Sequence, residues 1–167
     1  MKAVLPMMRK QKSGIIVNLS SIGGLTGVQL NSAYAGSKFA LEGFSESMKY
    51  ELEGFGIKVI LIEPGAVNTN IFENSKQAQK AMNPDSPYAE FYKKVSEGVR
   101  EGFKQTSSPM QVAEVILTAI KSEKPNTRYL VGKDALAIKE RRKNSSDFEL
   151  ERWIKESLLE QKGFVRR

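Results

Sequence analysis

Two short runs of branched aliphatic residues, one at 15–19 (Ile15, Ile16, Val17, Asn18, Leu19) and one at 57–62, flank a helical pattern over 32–54. Neither run alternates apolar with polar residues as a half-solvated antiparallel strand would, so each is expected to be covered on both faces. Only short connections separate strand, helix and strand. A parallel pair needs a crossover long enough to hold a helix, and this spacing therefore predicts a βαβ unit in an α/β fold.

Within the helical pattern Leu41, Phe44, Met48 and Leu52 share one stripe. Gly36, Ala40, Gly43 and Ser47 form a second stripe. A helical glycine costs about 1 kcal/mol relative to alanine, so the close approach of another backbone is expected to compensate. The second strand should break at Glu63, Pro64 and Gly65. Residues 66–87, rich in Asn, Gln and Ser, predict a mobile loop with some helix. Tyr88, Phe91, Tyr92, Val95, Val99 and Phe103 then recur at helical spacing. Ser108, Pro109 and Gln111 resemble a capping box with proline at the first helical position, opening a helix with Val112, Ile116, Ala119 and Ile120. A third short strand is expected at 128–131, and a last helix at about 147–161 with Leu150, Ile154 and Leu158 on one face. No internal repeat or low-complexity tract interrupts this order.

The chain has no cysteine and no histidine. Disulfides, thiolate nucleophiles, Ser-His-Asp triads and cysteine or histidine metal sites are thereby excluded, and acid/base chemistry falls to Asp, Glu, Lys or Tyr. The net charge of +7 is interleaved with 19 acidic residues. Its densest cluster, Lys139, Arg141, Arg142 and Lys143, reads as a solvated helix face, and no nucleic-acid partner is expected. No run of eighteen apolar residues predicts a membrane span, and residues 1–12 lack a signal-peptide cleavage site, so the expected location is cytoplasmic.

The residues richest in chemistry are Tyr34 and Lys38, which at i and i+4 share one helix face. An ammonium near a phenol favours the phenolate, and a proton donor or acceptor works best when its pKa lies near the operating pH. Ser21 stands thirteen positions before Tyr34, at the end of the first strand. Three linked motifs result: Asn-x-Ser-Ser-x-x-Gly (Asn18 to Gly24), Tyr-x-x-x-Lys (Tyr34 to Lys38) and Pro-Gly-x-x-x-Thr (Pro64 to Thr69).

In order and spacing these motifs resemble the short-chain dehydrogenases/reductases. The likeness is strong over 1–70 and continues loosely through Arg128, Tyr129, Leu130, Val131 and Gly132, where that family places its last strand. It implies a partial Rossmann-type, doubly wound fold in which this chain supplies the last three parallel strands. One truncated domain, 1–167, is expected, with a core at 1–70, a substrate loop and lid at 68–105, and C-terminal helices with the last strand at 106–167. The resemblance makes Tyr34 the acid/base, Lys38 the residue that tunes it and bonds the nicotinamide ribose, and Ser21 the group that orients the substrate oxygen. Tyr34, Lys38, Pro64, Gly65, Val67 and Thr69 would line the NAD or NADP site, with the cofactor supplying the hydride. Ser20 and Thr69 also suit ordinary capping, and Pro64-Gly65 a strand-ending turn.

The glycine-rich turn that holds a dinucleotide pyrophosphate has no counterpart in the 167 residues. Residues 1–12 resemble the end of the helix before the serine strand, so the sequence is expected to start mid-fold. The family's active-site asparagine would lie upstream, and Asn18 and Asn31 are not its equivalents. The strand at 15–19 would then present an unpaired apolar edge. The expected activity is that of an NAD(P)-dependent oxidoreductase on a small-molecule alcohol/carbonyl pair. Ile71, Phe72, Met82, Tyr88, Phe91 and Tyr92 would form an apolar lid for a lipid-like, steroid-like or retinoid-like substrate, and helix 32–54 would join copies in a homo-oligomer. The alternative is a non-catalytic interaction module that keeps this helix as its association surface; cofactor binding discriminates the two.

Overall fold

The structure, a computed structural model, describes residues 1–74, 83–102 and 106–159. Helix α1 (Leu5–Gln11) runs into β1 (Gly14–Leu19), and the long helix α2 (Ser32–Glu53) crosses over to β2 (Ile57–Pro64). A short α3 (Ile71–Asn74) is followed by α4 (Ala89–Gly102) and α5 (Pro109–Lys121), which lead to β3 (Arg128–Val131). Helices α6 (Lys133–Asn144) and α7 (Asp147–Leu159) complete the described chain. The strands pair in the order β1-β2-β3, all parallel, with Ile16 opposite Val59 and Leu61 opposite Arg128. This is the expected α/β arrangement of three parallel strands with flanking helices.

Side chains alternate across a strand, so Ile57, Val59, Leu61 and Glu63 share one face of β2 and Ile60 and Ile62 the other. The first face receives α2: Met48 and Leu52 pack with Ile16, Ile57 and Val59, and Leu5 and Met8 of the α1 region close the edge. The second receives α5, whose Val112 and Ala119 pack on Ile60, Ile62 and Val131, with Ile15 and Val17 partly buried beside them. Ile60, Leu61 and Ile62 are wholly inaccessible, which is why this strand cannot alternate. Helix α5 opens as its sequence predicts. Ser108 Oγ accepts from the Gln111 N–H, Gln111 Oε1 accepts from the Ser108 N–H, and Pro109 occupies the first turn. Among the described residues β1 pairs only with β2, leaving its other edge open, and no helix is long and apolar enough to cross a membrane.

Four features depart from the sequence reading. Strand β2 runs through Glu63 to Pro64, so Glu63 does not break it but lies inside the sheet, fully buried. The buried line of α2 is Ala35, Glu42, Ser45, Met48 and Leu52, while Phe44 is 48% exposed. Polar contacts set that rotation: Asn18 Nδ2 donates to Ser45 Oγ at 2.8 Å, and Lys49 Nζ to Thr127 Oγ1 at 2.7 Å. Nothing lies within 4 Å of where a Cβ on Gly36 or Gly43 would sit, so no backbone of the described residues makes the close approach expected of the small-residue stripe. Finally, α6 buries only Asp134, Ala135 and Ile138, too narrow a stripe to stand out as an element, and its Lys139, Arg142 and Lys143 are solvated as expected.

Helices α6 and α7 build a second small core. Ile138, Leu150, Trp153, Ile154 and Leu158 pack together, joined by Ile22 and Val28 from the segment after β1 and by Val99 of α4. Gly98 of α4 lies so close to the Leu158 carbonyl that any side chain there would collide with it. The C-terminal helices are thus braced against the segment that leaves β1.

Candidate active site

The Ser20 N–H donates to the Ile62 carbonyl at 2.8 Å, so the chain stays paired with β2 for one residue beyond β1 and releases Ser21 at the carboxyl end of the sheet. Ser21 caps the short 3-10 turn Ile22–Gly24, its Oγ accepting the Gly23 N–H at 3.1 Å. That bond occupies an oxygen lone pair and leaves the hydroxyl hydrogen to donate elsewhere. Tyr34 stands in the first turn of α2, 38% exposed, with its ring against Gly23. A Cβ on Gly23 would lie 2.8 Å from Tyr34 Cε1 and 3.7 Å from Ser21 Oγ. The bare glycine therefore lets the phenol ring and the serine hydroxyl gather over one α-carbon. One turn along α2, Lys38 Nζ donates to the Leu19 carbonyl at 2.9 Å and lies 5.6 Å from the Tyr34 ring centroid.

The structure thus brings Ser21, Tyr34 and Lys38 together at the carboxyl end of β1. Gly23→Ala is expected to push the Tyr34 ring off its seat and, in the chain joined to a dinucleotide-binding segment, to lower turnover by about 100-fold, since catalysis falls steeply with sub-ångström misplacement. Steady-state rates measured with a thermal melt check this. Unchanged rates at unchanged stability would show that the seat is not needed.

Beyond β2 the segment 64–69 is held at several points. The Gly65 N–H donates to the Val131 carbonyl, the Ser107 N–H to the Ala66 carbonyl and the Asn68 N–H to the Ser107 carbonyl, each at 2.9 Å. The Ala66 N–H donates to Asp134 Oδ2 at 2.6 Å. Val67 forms a parallel bridge with Ser107. In this pattern the bonds run through the neighbours of Val67, whose own N–H and C=O point away from Ser107. No other described residue takes either group. The start of the expected loop is therefore a pinned segment, because residues distant in sequence supply its hydrogen bonds. Thr69 is exposed at its open end. Of the expected lid, Ile71, Tyr88 and Phe91 are exposed, whereas α4 buries Val95 beside α7. Met82 and the Phe72 side chain lie outside the described residues, as do Phe103 and Gln161.

The family model for short chain dehydrogenase matches residues 1–80, which hold Ser21, Tyr34, Lys38 and Pro64 to Thr69. Over 134 residues, 79% of this chain, the sequence is 43% identical to the uncharacterized oxidoreductase YusZ of Bacillus subtilis. The chain belongs to the short-chain dehydrogenase family. It is also 42% identical over 142 residues to retinol dehydrogenase 8 of Bos taurus, covering 77% of this chain and 45% of that protein. A solved short-chain dehydrogenase from Streptomyces avermitilis superposes with a TM-score of 0.70 at 35% identity, over 93% of this chain and 56% of that one. The chain spans about half the length of the curated relatives it matches.

The donor set of this short-chain dehydrogenase suits the nicotinamide half of a dinucleotide. Val67, whose N–H and C=O no other described residue takes, offers a donor and an acceptor that suit a carboxamide, and Tyr34 and Lys38 of α2 lie beside the end of the adjacent strand β1. For the pyrophosphate half, no glycine-rich turn stands among the 167 residues.

Behind the site lies a charged cluster that sequence reasoning missed. Arg128 Nε donates to Glu42 Oε2 at 3.0 Å and lies 3.2 Å from Glu63 Oε1, while its Nη2 donates to Glu46 Oε2 at 3.1 Å. Glu42 is one turn from Lys38, and a Cβ on Gly24 would lie 2.9 Å from its Cγ. Burial first, and the neighbouring Glu42 charge second, push the Glu63 carboxyl up to about 7, against the pull of Lys139 and Arg128. The Glu63 carboxyl is therefore poised to take up a proton near neutral pH, and with Glu42 and Arg128 it bolts α2 to β2 and β3. A glutamate in an otherwise apolar, doubly covered strand was the available signal, because a buried charge requires a partner.

Proposed function

We propose that this chain carries the catalytic residues and the nicotinamide end of the cofactor site of an NAD(P)-dependent oxidoreductase that interconverts an alcohol and a carbonyl. The observation that carries this reading is the meeting of the Ser21 hydroxyl and the Tyr34 ring over Gly23, with the Lys38 ammonium one turn away. The bound nicotinamide supplies or accepts the hydride. Tyr34 Oη donates a proton to the carbonyl oxygen as negative charge develops there, and takes it back in the reverse direction. Ser21, with Gly23 holding one of its lone pairs, donates its hydroxyl hydrogen to the same oxygen and orients it. The Lys38 ammonium offsets the charge left on Tyr34. Val67 binds the carboxamide through its backbone, with Pro64, Gly65 and Thr69 shaping the surrounding wall.

Exposed Ile71, Tyr88 and Phe91, together with the similarity to a retinol dehydrogenase, favour a lipid-like substrate. The outer face of α2, where Phe39 and Phe44 flank Gly36, Ala40 and Gly43, is the surface proposed to join copies. Titrating the purified 167-residue chain with NADH and NADPH is expected to shift the Tyr34 ring and Val67 amide resonances, with affinity only in the millimolar range because the pyrophosphate gains no helix-capping turn. A folded chain showing no shift at either residue would reject the cofactor reading and favour the association module. Light scattering on the same sample tests the α2 surface, and a monodisperse monomer rejects it.

A further inference from the structure

Asp134 lies in the first turn of α6, and its carboxylate is buried between the turns that end β2 and β3. Two glycines make room for it. A side chain on Gly65 would collide with both carboxylate oxygens, and one on Gly132 would come to 2.5 Å of Oδ1 and 2.9 Å of Ser107 Oγ. Gly132 has φ +106, a conformation that side chains rarely adopt. No cation pairs with Asp134 among the described residues, yet the group is nine-tenths buried. A buried carboxylate is costly unless it accepts hydrogen bonds, and its place at a helix N-terminus offsets part of the cost. The bond it accepts is the Ala66 N–H, 68 residues away in sequence.

That bond falls beside Val67, whose backbone N–H and C=O no other described residue takes. Ala66 is held by Asp134 on its N–H and by Ser107 on its carbonyl, and Asn68 by Ser107 on its N–H. Val67 between them is left with its N–H and C=O turned outward. We infer that Asp134 is a positioning residue for the nicotinamide, fixing Ala66 so that the Val67 N–H and C=O are aimed into the cofactor site. The inference rests on the proposed nicotinamide role of Val67. Ser107 alone leaves the Ala66 N–H unsatisfied, and Asp134 is the group that takes it.

The test compares wild-type chain, Asp134→Ala and Asp134→Asn, each titrated with reduced nicotinamide mononucleotide, which needs no pyrophosphate turn, while amide resonances and amide hydrogen exchange are followed. Wild-type chain is expected to show saturable shifts at Val67. Asp134→Ala is expected to bind about tenfold more weakly and to exchange faster at Ala66, whereas Asp134→Asn, which keeps an acceptor oxygen, should stay within about threefold of wild type. Protection of the Ile60 and Ile62 amides must persist in all three, which separates positioning from loss of the fold. If β2 protection collapses in Asp134→Ala, Asp134 is a fold residue and the inference is overturned. Equal affinity of Asp134→Ala and wild type, or unchanged exchange at Ala66, would also overturn it. Absence of any wild-type shift at Val67 would instead overturn the nicotinamide reading itself.

Discussion

Replacing Tyr34 with phenylalanine is expected to lower turnover by about 10²–10⁴-fold, the span typical of a lost general acid/base, while leaving the fold unchanged. The substitution deletes one oxygen and keeps the ring that rests on Gly23, so packing around the 3-10 turn is preserved. No other group of the site can replace it. The aliphatic hydroxyl of Ser21 can donate a hydrogen bond but gives up its proton far less readily than a phenol, and Lys38 Nζ is engaged with the Leu19 carbonyl. The measurement is steady-state turnover of the chain joined to a dinucleotide-binding segment, fused or added in trans, with circular dichroism of both forms. Retention of more than about a tenth of the wild-type rate would remove Tyr34 from the proton-transfer role.

Arg128→Ala is expected to destabilise the fold by about 3–5 kcal/mol near pH 8, because it removes the guanidinium that ion-pairs with both buried carboxyls, Glu42 and Glu63. Glu63 is fully buried and Glu42 nearly so, whereas the third partner, Glu46, is half exposed and can turn to solvent. The effect depends on pH in a defined direction. The Glu63 carboxyl is raised from 4.5 to about 7 in the folded chain, chiefly by burial and next by Glu42. A carboxyl that binds its proton more tightly when folded contributes stability that is complete below its unfolded pKa and lost as the pH climbs through its folded one. For Glu63 that window, about pH 4.5 to 7, spans about 3 kcal/mol. Wild-type stability from this group should therefore fall between pH 5 and 8. The fall should steepen in Arg128→Ala, where one of the charges that pull the Glu63 carboxyl down is gone. Urea unfolding at pH 5, 6, 7 and 8 reads both slopes. A deficit in Arg128→Ala that is no larger at pH 8 than at pH 5 would show that the guanidinium does not neutralise this pair.

The strand-helix-strand unit and the trio Ser21, Tyr34 and Lys38 were legible because their information is local. Continuous apolarity marks a doubly covered strand, a four-residue step places two side chains on one helix face, and a capping box announces a helix start at Ser108. Phe44 misled for a related reason. Its spacing with Met48 and Leu52 is helical, but Asn18 and Lys49 bond across to Ser45 and Thr127 and turn the helix so that the phenylalanine faces outward. Helix α6 was hard to read because three buried residues among basic neighbours make almost no apolar period.

What the sequence by itself determined is the parallel α/β unit, the family, and the three residues on which the proposed proton chemistry rests, since each is written in spacings of a few residues. Only the tertiary structure decided how that chemistry is held in place. Arg128 meets Glu42 across 86 positions and Asp134 meets Ala66 across 68, and no local period carries such a pairing. These contacts exist because parallel strands bring distant segments to the same end of one sheet. There a buried charge must find its partner wherever the fold, and not the neighbouring sequence, supplies it.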